Sequence, residues 1–289
     1  MPVFTLVLIG YYAGPKLKLE ARPLSRFAYF VLVPAFTFNI ISAAQVQAEL
    51  AARMIIYIIV VYSSLALLGL LVAWLLGRPA KMIGAYVLLA VFGNVGNFGL
   101  PLIEFRLGKE ALLAATLYFL AASTVAFAIG VAAANWNNGK KLTALSEVAK
   151  TPALLAMLPA FFFNWAEVEP PLFLGRVINL LAAAMIPIML IVLGVQLAGV
   201  GRPKFSRDVW VASAVRLVGG PILGFLWVIP FGLTGIERGA GIFQAAMPAA
   251  VLASIIALEY DLLPDFVTTT VLFSTLASIV TLTIVLAVV

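Results

Sequence analysis

The sequence predicts an all-α polytopic membrane protein, with ten transmembrane helices arranged as two inverted five-helix repeats. Three observations predict it. Of 289 residues, 64% are hydrophobic and 10% are charged, where a soluble domain carries about 45–50% apolar and about 25% charged residues. Apolar runs recur along the whole chain, and no polar stretch between them exceeds about fifteen residues. Prolines also recur at matched places in the two halves. Pro34 and Pro187 stand 153 residues apart in the second span of each half, and Pro101 and Pro248 stand 147 apart in the fourth. Two copies of a unit with an odd number of spans must enter the membrane from opposite sides.

About 20 apolar residues cross the hydrocarbon core as a helix. The spans of the first half run over about 2–14, 24–44, 54–77, 82–106 and 109–135, and those of the second over about 151–166, 175–199, 208–233, 239–259 and 265–288. The first, "PVFTLVLIGYYAG", and the sixth, "TPALLAMLPAFFFNW", are both short and hold the same place in each half. The second and seventh carry their prolines in "FVLVPAFTF" and "AAMIPIMLI", and the third, "YIIVVYSSLALLGLL", is uninterrupted. The fourth contains "FGNVGNFGLP", Phe92 to Pro101, with three glycines, two asparagines and a proline where a membrane helix should have none. The fifth holds Tyr118, Ser123 and Thr124, the eighth holds Arg216 several residues inside its span, the ninth contains "FQAAMPAAV", and the tenth follows "LEYDLLPD". The repeats are thus 1–135 and 151–289, joined by a cytoplasmic linker at 136–150.

The formal charge is +6, and topology accounts for it better than nucleic acid does. Loops after odd-numbered spans carry Lys16, Lys18, Arg22, Arg26, Arg78, Lys81, Lys140, Lys141, Lys150, Arg202, Lys204 and Arg207. Loops after even-numbered spans carry Arg53, Arg106, Lys109, Arg176 and Arg238. The excess places odd loops in the cytoplasm and both termini outside a multi-pass protein of the cell membrane. No basic region followed by a cleavage site opens the chain, so no removable signal peptide is expected. The chain has no His and no Cys. That excludes thiol chemistry, disulfides, His-metal sites and Ser-His catalysis. No span interior carries two acidic residues, so an intramembrane enzyme is not expected, nor is a cofactor.

Matched, Gly/Pro-interrupted spans in inverted repeats are the signature of secondary transporters. A broken helix frees N–H and C=O groups at membrane depth. Lipid cannot satisfy them, so they face protein, water or a ligand. The N-terminal end of a half-helix also carries partial positive charge, which suits an anion.

At these residues the chain resembles the auxin efflux carrier family, in its short prokaryotic form. "LSRFAYFVLVPAFTF" is similar to the family's second helix, "GNVGNFGLPL" to its fourth, "SAVRLVGGP" to its eighth, and "FQAAMPAAV" with "LEYDLLPDFVTTTVLF" to its ninth and tenth. The resemblance implies helices 4 and 9 broken at their prolines and crossing at mid-membrane, as in the bile-acid sodium symporters. It implies a scaffold of helices 1, 2, 6 and 7, a transport domain of helices 3–5 and 8–10, elevator-type alternating access, and a homodimer. Substrate would bind beside the crossover. The third span lacks the Asp and Lys that support the auxin site in plant carriers, and "NWNNGKKLTALSEVAK" replaces their long loop. Small carboxylates such as malonate, or auxin-like acids, are the expected substrates.

Asn94 is the foremost substrate-binding candidate, since its amide can donate to a carboxylate. Its alternative is to cap the broken helix. Asn97 contacts substrate, coordinates a cation or satisfies backbone. Gly93, Gly96 and Gly99 permit unwinding and close approach. Pro101 and Pro248 mark the broken segments beside the substrate. Gln244 either lines the pocket or hydrogen-bonds between helices. Val33 and Val251 form apolar walls by analogy. Arg216 either sets a positive potential for an anion, pairs structurally, or snorkels beside Arg202, Lys204 and Arg207. Ser123 and Thr124 are weak cation-site candidates. A sodium-coupled organic-anion symporter is the alternative reading. It would need a carboxylate among its ligands, whereas Glu104, Glu110, Glu259, Asp261 and Asp265 lie near span ends or in loops.

Overall fold

The computed structural model describes residues 2–43, 47–135, 152–199 and 205–289. Their helices are α1 (Pro2–Lys16), α2 (Ala21–Ser42), α3 (Ala48–Leu75), α4 (Ala80–Val91), α5 (Leu100–Leu107), α6 (Leu112–Asn135), α7 (Pro152–Trp165), α8 (Leu172–Ala198), α9 (Arg207–Val228), α10 (Gly235–Ala246), α11 (Val251–Glu259) and α12 (Pro264–Val288). Among the described residues, six spans are long and apolar enough to cross a membrane: α2, α3, Lys109–Gly130 (which overlaps α6), α8, α9 and α12. α4 and α7 are shorter apolar helices. The linker at 136–150 lies outside the described residues, and with it Lys140, Lys141 and Lys150; so do Arg202 and Lys204. The outer surface is apolar, with Trp165 87% and Phe173 81% exposed. In water such a surface would drive association; against lipid it is the favourable arrangement.

Proline shapes the helices in an unexpected way. Ala28–Leu32, Val95–Gly99 and Val215–Gly219 are π-helical turns, each followed two residues later by a proline: Pro34, Pro101 and Pro221. Proline has no N–H, and its ring collides with the carbonyl four residues earlier. A widened turn accommodates both defects without ending the helix. This corrects the expectation that the fourth span breaks at Pro101. Pro101 sits buried at the start of α5, and the break lies at Phe92–Asn94, where the backbone leaves helical values (Phe92 φ −83°, ψ 81°; Asn94 φ −77°, ψ 51°). Pro248 does lie in a break, between α10 and α11.

The helices pack in two groups. α1 runs along α8, and α2 packs on α7 and α8. Gly10 and Gly194 set the α1–α8 approach: a Cβ on Gly10 would collide with the Ile191 carbonyl, and one on Gly194 with that of Val7. Small residues of this kind let membrane helices gain dispersion contacts across their backbones. In the other group α3 packs on α4 and α6, α10 on α6 and α9, and α12 on α9 and α11. Asp208, in the first turn of α9, joins that group at one end. It accepts from Arg78 Nε and from the Tyr86 hydroxyl, both at 2.8 Å. The groups meet where Val95–Gly99 lies against α8 and where α2 meets α6.

Candidate functional site

The two breaks lie side by side and antiparallel. The Ala250 N–H donates to the Phe92 carbonyl at 2.7 Å, the Asn94 N–H donates to the Pro248 carbonyl at 2.7 Å, and Gly93 and Ala249 form an isolated antiparallel bridge. The Ala249 N–H donates to Ser274 Oγ of α12 at 3.2 Å. Each break thus supplies the partners that helix and lipid cannot. Two helix C-termini, of α4 and α10, arrive on one side of this pairing. Two helical N-termini, at Val95 and Val251, leave from it.

Arg216 closes the C-terminal side. It is fully buried; its Nε donates to the Met247 carbonyl and its Nη1 to the Ala90 carbonyl, each at 2.7 Å. Nη2 donates to the Tyr62 hydroxyl at 3.1 Å, which in turn donates to the Gln244 carbonyl at 3.2 Å. Met247 caps α10 and Ala90 belongs to the last turn of α4. A helix C-terminus carries roughly half a negative charge, so two of them together match one guanidinium. A hydrogen bond to a charged group contributes about 1.5–3 kcal/mol, and Arg216 makes three. Gly93 is required here, because a Cβ on it would occupy the place of Arg216 Nη2.

The N-terminal side opens onto a cavity of about 550 Å³. Asn94, Val95, Gly96 and Asn97 line it from the first break, and Ala250, Val251 and Leu252 from the second. These are the first turns of two helical segments, whose leading N–H groups have no partner within the helix. Asn94 is 5% exposed and is the N-cap residue of Val95–Gly99, yet its side chain makes no capping hydrogen bond. A stripe of α2 forms another wall: Arg22, Ser25, Arg26, Tyr29 and Val33. Gln196, near the end of α8, lines the same wall and donates to Ser25 Oγ at 3.0 Å. Phe92, Phe119 and Phe127 add apolar surface. No Asp or Glu is among the described residues that line the cavity.

Of the residues singled out in the sequence, the cavity brings together Asn94, Asn97, Val33, Val251, Ser123 and Thr124. Thr124 Oγ1 donates back to the Leu120 carbonyl at 2.8 Å. Four others lie elsewhere. Pro101 is buried in α5, the Pro248 carbonyl is held by the Asn94 N–H, and Arg216 is fully buried against the helix C-termini. Gln244 is fully buried and donates to the Ala115 carbonyl at 3.2 Å. Its Oε1 lies where a Cβ of Gly99 would stand. Tyr62 and Gly93 line the cavity and also touch Arg216, so its charge lies one layer behind the wall. Sequence reasoning named Val33 but missed Arg22, Ser25, Arg26 and Tyr29 of the α2 stripe, and Gln196. The spacing of positions 22, 25, 26, 29 and 33 on one helical face was the available signal.

The family model described as membrane transport protein matches residues 1–286. A protein of Methanothermobacter thermautotrophicus named "Uncharacterized transporter" is 26% identical, over 98% of this chain and 94% of its own. A Rhizobium meliloti protein named "Putative malonate transporter" is 27% identical, over 98% of this chain and 92% of its own. Auxin efflux carrier component 1 of Arabidopsis thaliana is 29% identical over 40% of this chain and 19% of its own length.

Proposed function

Because the chain belongs to the membrane transport protein family, we propose that it is a secondary carrier of small organic anions, which bind in the cavity at the paired helix breaks. The observation that carries this reading is the convergence of two helix N-termini and the Asn94 amide on one cavity with apolar walls. A carboxylate leaving water loses strong hydrogen bonds, and a site must replace them. N–H groups at helix N-termini, with their partial positive charge, do so for anions. Apolar walls accept the rest of a small organic acid. Arg22 and Arg26 at the cavity wall draw anions toward it. Two relatives bear names that refer to malonate and auxin. Both are organic acids.

The fold supports a ten-span reading. The first repeat is α1, α2, α3, the α4–α5 pair and α6, and the second is α7, α8, α9, the α10–α11 pair and α12. The breaks then take the fourth place in each repeat, and their antiparallel pairing suits inverted copies. α1, α2, α7 and α8 act as scaffold, and the remaining helices carry the substrate in an elevator movement. The cavity reaches the first turns of α2 and α7 and the end of α8. With odd loops in the cytoplasm, this is an inward-open state.

The test is flux in liposomes that contain the purified protein, with labelled malonate, a labelled monocarboxylate and a labelled neutral solute. Saturable uptake of one of the acids, and none of the neutral solute, is the expected result. Equal passage of the neutral solute would overturn the carrier reading.

A further inference from the structure

We infer that Arg216 is a tethered cation standing where a coupling cation would otherwise stand at the paired helix C-termini, so that this chain moves its anion without sodium. The inference rests on the carrier reading proposed above and adds the ionic requirement of the same site. Three observations carry it. The guanidinium is fully buried and bridges the ends of both interrupted helices, through the Ala90 and Met247 carbonyls at 2.7 Å. Converging carbonyls at broken helix ends are the ligands that sodium takes inside membranes. Among the described residues no acidic side chain pairs with Arg216, so the two helix ends are its counter-charge. The remaining nitrogen bonds to Tyr62, and Gly93 leaves no room beside it. A free cation would meet both repulsion and occupied ligands.

Arginine suits this place because it stays protonated at any physiological pH and presents several donors in a fixed plane. Its position would be filled in every step of a transport cycle. Cation binding and release would then cease to be conditions for movement. Arg216 is a positioning residue: it holds the breaks in register from behind, and Tyr62 and Gly93 separate it from the cavity.

Thermal unfolding of the purified full chain in detergent tests the inference without any substrate. The wild type should melt at the same temperature in sodium, potassium and choline chloride of equal ionic strength. Arg216→Ala should melt roughly 10 °C lower, since it leaves several buried acceptors unpaired. Millimolar guanidinium should restore most of that loss while leaving the wild type unchanged. A residue that merely fills space would show the loss without the rescue. Absence of guanidinium rescue, or a sodium-specific gain by the wild type, would overturn the inference.

Arg216→Lys covers the case in which the alanine variant does not fold. It keeps the charge and should show a smaller loss with no response to sodium; a sodium-specific gain would count against the inference. In liposomes, wild-type malonate flux should be equal in sodium and in N-methylglucamine, and a sodium requirement would overturn it. Absence of any malonate flux would count against the carrier reading, and the melting comparison would still decide the role of Arg216.

Discussion

The C-terminal and N-terminal sides of the paired breaks are made by the same two interrupted helices, yet they are finished differently. On the C-terminal side the chain supplies its own counter-charge: Arg216 meets the carbonyls of α4 and α10, and its side chain is fully buried. On the N-terminal side the helix ends face a cavity, and Asn94 is buried against it without capping its helix. Opposite partial charges call for opposite partners. This protein has built the cation in, and on the proposed reading it leaves the anion to arrive from outside. The contrast separates what holds the breaks together from what they bind.

Substitution at Gly93 should do the most damage, because it strikes the Arg216 side. Gly93→Ala puts a Cβ where Arg216 Nη2 lies, and a misplaced guanidinium would leave a buried charge and two helix ends unpaired. The expected outcome is loss of folded, monodisperse protein in size-exclusion chromatography. Normal yield and flux would show that the Arg216 side tolerates more than the packing implies. Arg22 and Arg26 should have a middling effect, because they are exposed and act through field rather than contact. Arg26→Gln should lower malonate uptake by about 2–5-fold at low salt and by less as salt rises. A salt-independent loss would instead mark Arg26 as a direct ligand. Thr124 should matter least, since its hydroxyl donates to its own helix. Thr124→Val should keep uptake within about 2-fold, in sodium or without it. A large sodium-dependent loss would restore the cation-site reading and blur the contrast between the two sides.

Much of this arrangement was legible in the sequence, for identifiable reasons. Glycines and asparagines inside an apolar run announce that backbone groups are freed at membrane depth, and the fourth span does break within "FGNVGNFGLP". The proline misled, because its defects can be absorbed by a π turn. Pro34, Pro101 and Pro221 each follow one, and Pro248 lies in a break. Arg216 was recognisable as an anomaly, while its role was not. Two of its partners are backbone carbonyls, 31 and 126 residues away, and a carbonyl leaves no mark in residue identity. The α2 stripe had a helical spacing open to inspection, but Arg22 and Arg26 also read as ordinary loop charges. The topology argument had already absorbed them.

The central claim is that the open side binds a carboxylate through helix N-termini and the Asn94 amide. Titration of the purified protein with malonate and with its uncharged diamide, for the wild type and Asn94→Ala, tests it most directly. A hydrogen bond to a charged group contributes about 1.5–3 kcal/mol, or about 10–150-fold in affinity. The account predicts that malonate binds the wild type, that the diamide does not, and that Asn94→Ala weakens malonate by a factor in that range. Equal binding of the diamide, or malonate affinity unchanged in Asn94→Ala, would contradict it.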